Sequence, residues 1–316
     1  MRTEVVPAVG FVLMWSSGFI GATLGTQHAG SSTLLMWRFL AATALIGLWW
    51  SLHRRRRFTA REIGVHAGVG LLSQGGYLYG VVMSAELGVP AGVAALVAAL
   101  QPIVAATLSG PLLGEHTSRL QWIGLAVGLA GVALVVGGDL NGGTGAPALA
   151  YALPFGAMLA LVTATFVERK AATELPLGDS LMIQCAGSAV LFTGLALATG
   201  DAAPPTSGSF WLAVAWVVVL STFGGYGFYW LNVRRGSVTR VSSLLYLTPP
   251  TTMLLALAMF GQRITALGLL GLAVCLGAVL LVLRAPSRQR ADREDSVRDL
   301  PRPETTVPAA ECRTAG

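Results

Sequence analysis

Charge is scarce in this sequence: Asp, Glu, Lys and Arg make up 11% of its 316 residues. A soluble domain carries about 25%. So few charges cannot cover a water-exposed surface of this size, which excludes an ordinary soluble globule. Cysteine is scarce as well. Cys185 and Cys275 lie in apolar stretches and Cys312 near the C-terminus. The number is odd and none falls in an outer loop, so no disulfide framework is expected. Acidic residues are missing from the middle of every long apolar run, which removes the buried carboxylate that relays protons in many pumps. No Walker-type loop and no GxGxxG after a strand occurs, so nothing points to ATP drive. His28, His53, His66 and His116 stand singly at or near segment ends, without metal-ligand spacing. No metal, cofactor or catalytic group is expected, and the chain is not expected to be an enzyme.

What remains is apolar: 54% of residues are hydrophobic and the mean hydropathy is positive. A bilayer core of about 30 Å needs about 20 apolar residues in a helix. Ten segments fit: 5–24, 32–52, 63–83, 90–112, 121–138, 148–167, 179–199, 209–231, 238–260 and 266–284. In lipid the backbone must satisfy its own hydrogen bonds, so each reads as a helix. A signal peptide at 5–24 is rejected, because a duplicate of that segment recurs around 148–167 in mid-chain.

The net charge of +6 would suggest a nucleic-acid partner in a soluble protein. The placement of the charges explains it better. Arg2, Arg54 to Arg57, Arg61, Arg119, Arg169, Lys170, Arg234, Arg235, Arg240 and the tail fall on one set of alternate loops; the other set holds only Arg263. By the positive-inside rule both termini are cytoplasmic. The expected location is a bacterial-type inner membrane, with lipid and a small molecule as partners, no nucleic acid, and an oligomeric state open between one chain and a homodimer.

The chain is also duplicated. Shifted by 147 residues, Phe19 falls on Phe166, Pro102 on Pro249, Gly114 on Gly261, Gly124 on Gly271 and Glu115 on Gln262. Each copy holds five spans, an odd number, so the second copy enters the membrane from the opposite side. The expected fold is all-α and integral to the membrane, ten transmembrane helices as two inverted five-helix repeats, a common build of secondary transporters. The repeats cover residues 1–138 and 148–284, with a flexible outer linker at 139–147. Residues 285–316 read as a disordered cytoplasmic tail.

Polar and helix-breaking residues in a span are costly in lipid, so they mark candidate sites. Near mid-depth lie Trp15 with Ser16 and Ser17, Ser73 and Gln74 with Tyr77, Gln101-Pro102, Ser221-Thr222 with Tyr226, and Tyr246 before Pro249. Each also has a structural reading: the prolines as packing kinks, the Gly-Gly pairs as close helix contacts. Trp15, Gln74, Tyr77, Gln101, Tyr226 and Tyr246 are the candidates for substrate contact. Pro102 and Pro249 are candidate hinges. Arg38, two turns into the second span, is the one ionised group well inside a span, and Glu86 lies at a similar level; the two could pair as an outer gate.

These features resemble the drug/metabolite transporter superfamily, and within it the EamA-domain family. The resemblance rests on Trp15 and the small residues after it, Arg38, Ala85 to Pro90, Pro102, Gly114-Glu115, the glycines of the fifth span, and the five-plus-five repeat. It implies a central cavity lined by spans 1, 3, 4, 6, 8 and 9 and export of amino acids, other metabolites, nucleosides or drugs. Gln262 in place of Glu, and Cys185 where the first copy has Arg38, make the two halves unequal. The expected function is alternating-access export of a small neutral or zwitterionic metabolite, from a cavity with no fixed central charge. A channel is the alternative and a membrane-embedded lipid enzyme a remoter one, since no selectivity filter or acid-base cluster is seen.

Overall fold

The computed structural model describes residues 2–53, 57–113, 119–141, 145–171, 175–225, 227–228 and 244–283. Tyr226, Gly114, Glu115, Arg54 to Arg56, Arg234, Arg235, Arg240 and the tail at 285–316 lie outside them. The described residues form helices and no strands, and six of the helices are long and apolar enough to cross a membrane.

The chain runs through α1 (Arg2–Thr26) and α2 (Ser31–His53). It continues with α3 (Ala60–Gly70), which passes through a π-helical stretch, π1 (Leu71–Gly76), into α4 (Tyr77–Glu86). Next come α5 (Ala91–Ala98), α6 (Gln101–Leu113) and α7 (Arg119–Asn141). After a 3₁₀ turn at Ala148–Tyr151 follow α8 (Ala152–Ala171), α9 (Leu177–Thr199) and α10 (Gly208–Trp216) with a second π-helical continuation, π2 (Val217–Gly225). α11 (Thr248–Phe260) and α12 (Ala266–Leu283) complete the described chain. The start of α3 is fixed by a capping box: Thr59 accepts from the Glu62 amide while Glu62 accepts from the Thr59 amide.

The segment read as one helix over 90–112 is two. Pro102 has no N–H for the Ala98 carbonyl, and its ring crowds that turn. So α5 ends at Ala98, and Pro102 becomes the second residue of α6, where a missing N–H has no partner to lose. The repeat solves the same problem at α11, which starts at Thr248 with Pro249 and Pro250 in its first turn. The Leu245 carbonyl, denied a Pro249 N–H, accepts the Thr248 hydroxyl at 2.6 Å. At the other boundary α7 runs on to Asn141 and so takes the first residues of the segment read as linker.

Packing crosses between the two halves of the chain in a regular way. α2 packs on α9, and α7 on α12. α1 packs on α10 and π2, while α8 packs on α3, π1 and α4; α1 also packs on α11, and α8 on α5 and α6. Exchange each span for the one five places away and every one of these pairings maps onto itself or another. The faces turned outward carry large apolar residues such as Leu52, Val190, Leu212 and Leu254, all more than half exposed, which suits hydrocarbon as solvent.

Small residues set the α7–α12 crossing. Cys275 donates to the Gly128 carbonyl at 3.3 Å, across a sequence separation equal to the repeat offset. A Cβ on Gly271 would strike the Gly131 carbonyl, and one on Gly131 would strike the Cys275 sulfur. Backbone cannot yield as a side-chain tip can. Gly271→Ala should therefore destabilise the protein by about 1–3 kcal/mol, read as a lower unfolding midpoint in detergent. Gly277→Ala on the same helix, with open space around it, should leave the midpoint unchanged or raised.

Candidate functional site

Two π-helical stretches at matching places in the halves organise the interior. π1 carries Ser73-Gln74-Gly75-Gly76 and π2 carries Ser221-Thr222-Phe223-Gly224-Gly225. A π turn shifts the hydrogen-bond ladder by one residue and loosens the local backbone, and such turns recur at functional sites. At π1 the Tyr77 amide bonds back to the Leu72 carbonyl, five residues away. At π2 the Thr222 hydroxyl bonds the Val217 carbonyl, also five residues back. The glycines that follow let neighbours close in: a Cβ at Gly76 would touch Ala160 at 3.0 Å, and at Gly80 would meet Ala157 at 2.9 Å. The Gly-Gly pairs thus serve helix contact and also bound the interior.

Between these stretches lies a cavity of about 70 Å³. Its wall includes Trp15, Gly18 and Phe19 of α1, Arg38 and Phe39 of α2, Ser73 and Gln74 of π1, Tyr77 and Val81 of α4, Leu161 of α8, and Ser221 and Thr222 of π2. In span terms these are 1, 2, 3, 6 and 8. Spans 4 and 9, expected to contribute, supply none of the described lining residues, and span 2, not expected there, supplies Phe39 and one charged residue.

That residue is Arg38. It is 5% exposed, and its guanidinium donates to Thr222 Oγ1 at 3.2 Å and to Ser221 Oγ at 3.4 Å, with Phe39's ring 5.7 Å from the guanidinium carbon. The expectation of a cavity without a fixed central charge is therefore corrected: one positive charge stands in its wall. A central Arg costs about 2.5–3.5 kcal/mol on insertion scales. Hydrogen bonds to a charged group return about 1.5–3 kcal/mol each when well formed, and the Ser221 contact is long. Arg38 does not share a partner with Glu86. The Glu86 carboxylate accepts the Ser31 amide at 2.7 Å, where the N-terminus of α2 offers unsatisfied N–H groups and a positive dipole end. The two charges sit at opposite ends of two turns of α2.

The remaining candidates divide. Trp15, Gln74 and Tyr77 line the cavity. Gln101 is the half-buried first residue of α6 and is outside the lining. Tyr246 is buried in an apolar cluster with Met253 and Tyr151. Pro102 and Pro249 stand at helix starts, as described above.

Ser73 was noted for its depth but not for its role. Its hydroxyl is buried in the cavity wall with no hydrogen-bond partner among the described residues. A polar group so placed calls for a ligand or solvent partner.

Sequence reading missed a buried polar chain beside the cavity. Gln74 Nε2 donates to Gln184 Oε1 at 3.0 Å, and Gln184 Nε2 donates to Ser180 Oγ at 2.9 Å. Ser180 Oγ lies 2.9 Å from His66 Nδ1. Gly70 makes the approach possible, since a Cβ there would fall 2.8 Å from the Gln184 backbone. His66, expected at or near the water interface, is 2% exposed, because α3 packs on α9 along that face. The available signal was the i, i+4 spacing of Ser180 and Gln184 inside an apolar span, which puts both on one helix face.

Comparison with known proteins agrees with this architecture. The profile of the EamA-like transporter family matches residues 3–137 and 148–284. An uncharacterized inner membrane transporter, YedA of Escherichia coli (strain K12), is 26% identical over 281 residues, covering 85% of this chain and 87% of its own. A probable terminal-alkyne amino-acid exporter of Streptantibioticus cattleyicolor is 26% identical over 285 residues, covering 89% of this chain and 93% of its own. One solved crystal structure superposes with a TM-score of 0.62 at 22% identity, over 89% of this chain and 96% of that one; it shares the fold.

The Arg38–Thr222 contact ties α2 to the other half of the chain. Thr222→Val keeps the shape and removes the acceptor, leaving a buried charge less satisfied. It should destabilise by about 1–3 kcal/mol, measured by denaturant unfolding in micelles. Adding Arg38→Met to Thr222→Val should cost less than the sum of the single effects, as expected of coupled partners.

Proposed function

The chain belongs to the EamA-like transporter family, and from that premise we propose that it is an exporter of small zwitterionic metabolites, neutral amino acids above all, working by alternating access in a bacterial inner membrane. It is a multi-pass membrane transporter. The observation that carries the finer reading is the guanidinium of Arg38 in an otherwise mostly apolar cavity. A planar guanidinium pairs bidentately with a carboxylate. Trp15, Phe19, Tyr77, Val81 and Leu161 offer an apolar side chain its burial, while Ser73 and Gln74 offer hydrogen bonds. A relative is named as an amino-acid exporter, which fits the same chemistry.

Ten spans in two inverted halves support the mechanism. The odd number of spans per copy and the alternation of Lys and Arg put both termini in the cytoplasm. The cross-half pairings that survive exchange of the halves, and the Cys275–Gly128 contact at the repeat offset, are what a two-fold axis in the membrane plane produces. At about 70 Å³ the cavity is well below the ~300 Å³ or more of a small-molecule site. The halves must part to admit substrate, and the helix starts at Pro102 and Pro249 and the two π stretches are where the backbone ladder already yields.

Purified protein in liposomes should show saturable counterflow of L-leucine. Arg38→Gln should raise the half-saturating concentration of L-leucine by about tenfold or more. L-leucinol, which lacks the carboxylate, should be handled poorly and equally by both proteins. Flux that never saturates would indicate a channel, and equal transport of a polyanion would contradict the substrate class.

A further inference from the structure

The chain of hydrogen bonds leading away from the cavity has a direction. The Cys185 thiol donates to Gln74 Oε1 at 3.6 Å, Gln74 donates to Gln184, and Gln184 donates to Ser180. Ser180 Oγ accepts from Gln184, and its own proton is satisfied when it donates to its other side-chain partner, His66 Nδ1, 2.9 Å away. Every donor points toward His66, an arrangement in which Nδ1 is the acceptor and the ring proton sits on Nε2. All five side chains are buried, from 0% exposed at Cys185 to 9% at Gln184. One end of the chain lines the cavity at Gln74; the other lies eight residues earlier along the same span, toward the end that the basic loops mark as cytoplasmic.

A proton taken up from water at His66 Nδ1 makes that atom a donor. Ser180 Oγ must then accept from it, and the Ser180 hydroxyl proton turns to Gln184. Gln184 meets it by exchanging the places of its amide oxygen and nitrogen, and so donates to Gln74 instead of accepting. Gln74 reverses in turn. Its end beside Cys185 changes from carbonyl oxygen to NH₂, and the thiol loses its acceptor. No covalent bond is made or broken beyond the N–H formed on His66. Arg38 and Gln74 share the cavity wall. The reversal therefore changes an acceptor into a donor on a side chain that lines the same cavity as the guanidinium that would hold a carboxylate.

We propose that His66 is a positioning residue for the transport site, whose protonation reverses the Ser180–Gln184–Gln74 chain and tightens binding of a carboxylate-bearing substrate. The proposal rests on the reading of the cavity as the substrate site. Several charged groups lie near His66. On α9, Asp179 precedes Ser180, is 1% exposed and is the acid on that helix. On α8, Glu168 and Lys170 are exposed, with Arg169 between them. On α3 itself, Arg61 donates to the Ala171 carbonyl and Glu62 is held in the capping box. π1 brings no ionisable side chain, and Arg38 stands at the far end of the chain.

Two readouts test this. The first is equilibrium binding of L-leucine to the full-length protein in micelles. Affinity should rise about threefold to tenfold on acidification, the worth of one added hydrogen bond. His66→Gln, Ser180→Ala and Gln184→Leu should each flatten that profile, with folding checked by thermal unfolding. The second needs no substrate: the S–H stretch of Cys185, assigned by its loss in Cys185→Ala. It should move to higher frequency on acidification of the wild-type protein and stay fixed in Ser180→Ala. An unchanged pH profile in Ser180→Ala, or an S–H band that shifts alike in both proteins, overturns the proposal. Arg38→Gln separates the two readings. If it leaves L-leucine binding intact, the cavity assignment fails. If it weakens binding while the chain variants keep the wild-type pH profile, only the role of His66 fails.

Discussion

A guanidinium held out of water is the constraint from which the rest of this structure follows. Arg38 sits where insertion costs kilocalories, and the groups that receive it, Thr222 and Ser221, come from the other half of the chain. Bringing α2 and π2 together supplies both hydroxyls to the charge. The halves are thereby pinned to each other at the cavity, not only at the tightly packed glycine crossing of α7 and α12. A contact of about 3.2–3.4 Å between a charge and two hydroxyls is also one that a carboxylate can compete for. The same interaction that closes the interior offers the means to open it.

The irregular backbone is placed consistently with this. Lipid tolerates broken helices only where other groups satisfy what the break leaves over. Both π stretches turn inward, and the proline breaks are covered by helix starts and by the Thr248 hydroxyl. Gly70 brings α3 against α9, and the pair of glutamines there forms a bond that neither could make facing hydrocarbon. A run of buried polar side chains thus extends from His66 through Ser180 and Gln184 to Gln74, which shares the cavity wall with Arg38.

Much of the architecture could be read from residues alone. Length and composition gave the helices, and depth alone marked Trp15, Gln74, Tyr77 and Arg38, all of which meet at the cavity. Depth could not say which way a side chain turns. Gln101 and Tyr246 lie as deep as Gln74, but α6 and α11 turn them elsewhere. Glu86 matched Arg38 in level, yet a backbone N–H at a helix end is a nearer partner for a carboxylate than a cation two turns away. Linear reading marked Arg38 by its charge but left the second span out of the cavity lining, because the π stretch that meets it comes from 183 to 184 positions further on. The burial of His66 was hidden for a similar reason: its sequence neighbours are those of a span end, and the partner helix α9 is what buries it.

The most direct measurement is an experimental structure of the protein in lipid nanodiscs with L-leucine bound. The account predicts the ligand carboxylate within hydrogen-bond distance of the Arg38 guanidinium, between π1 and π2, with Ser221 or Thr222 displaced from it. A ligand seated elsewhere, with the Arg38–Thr222 contact intact, would contradict it.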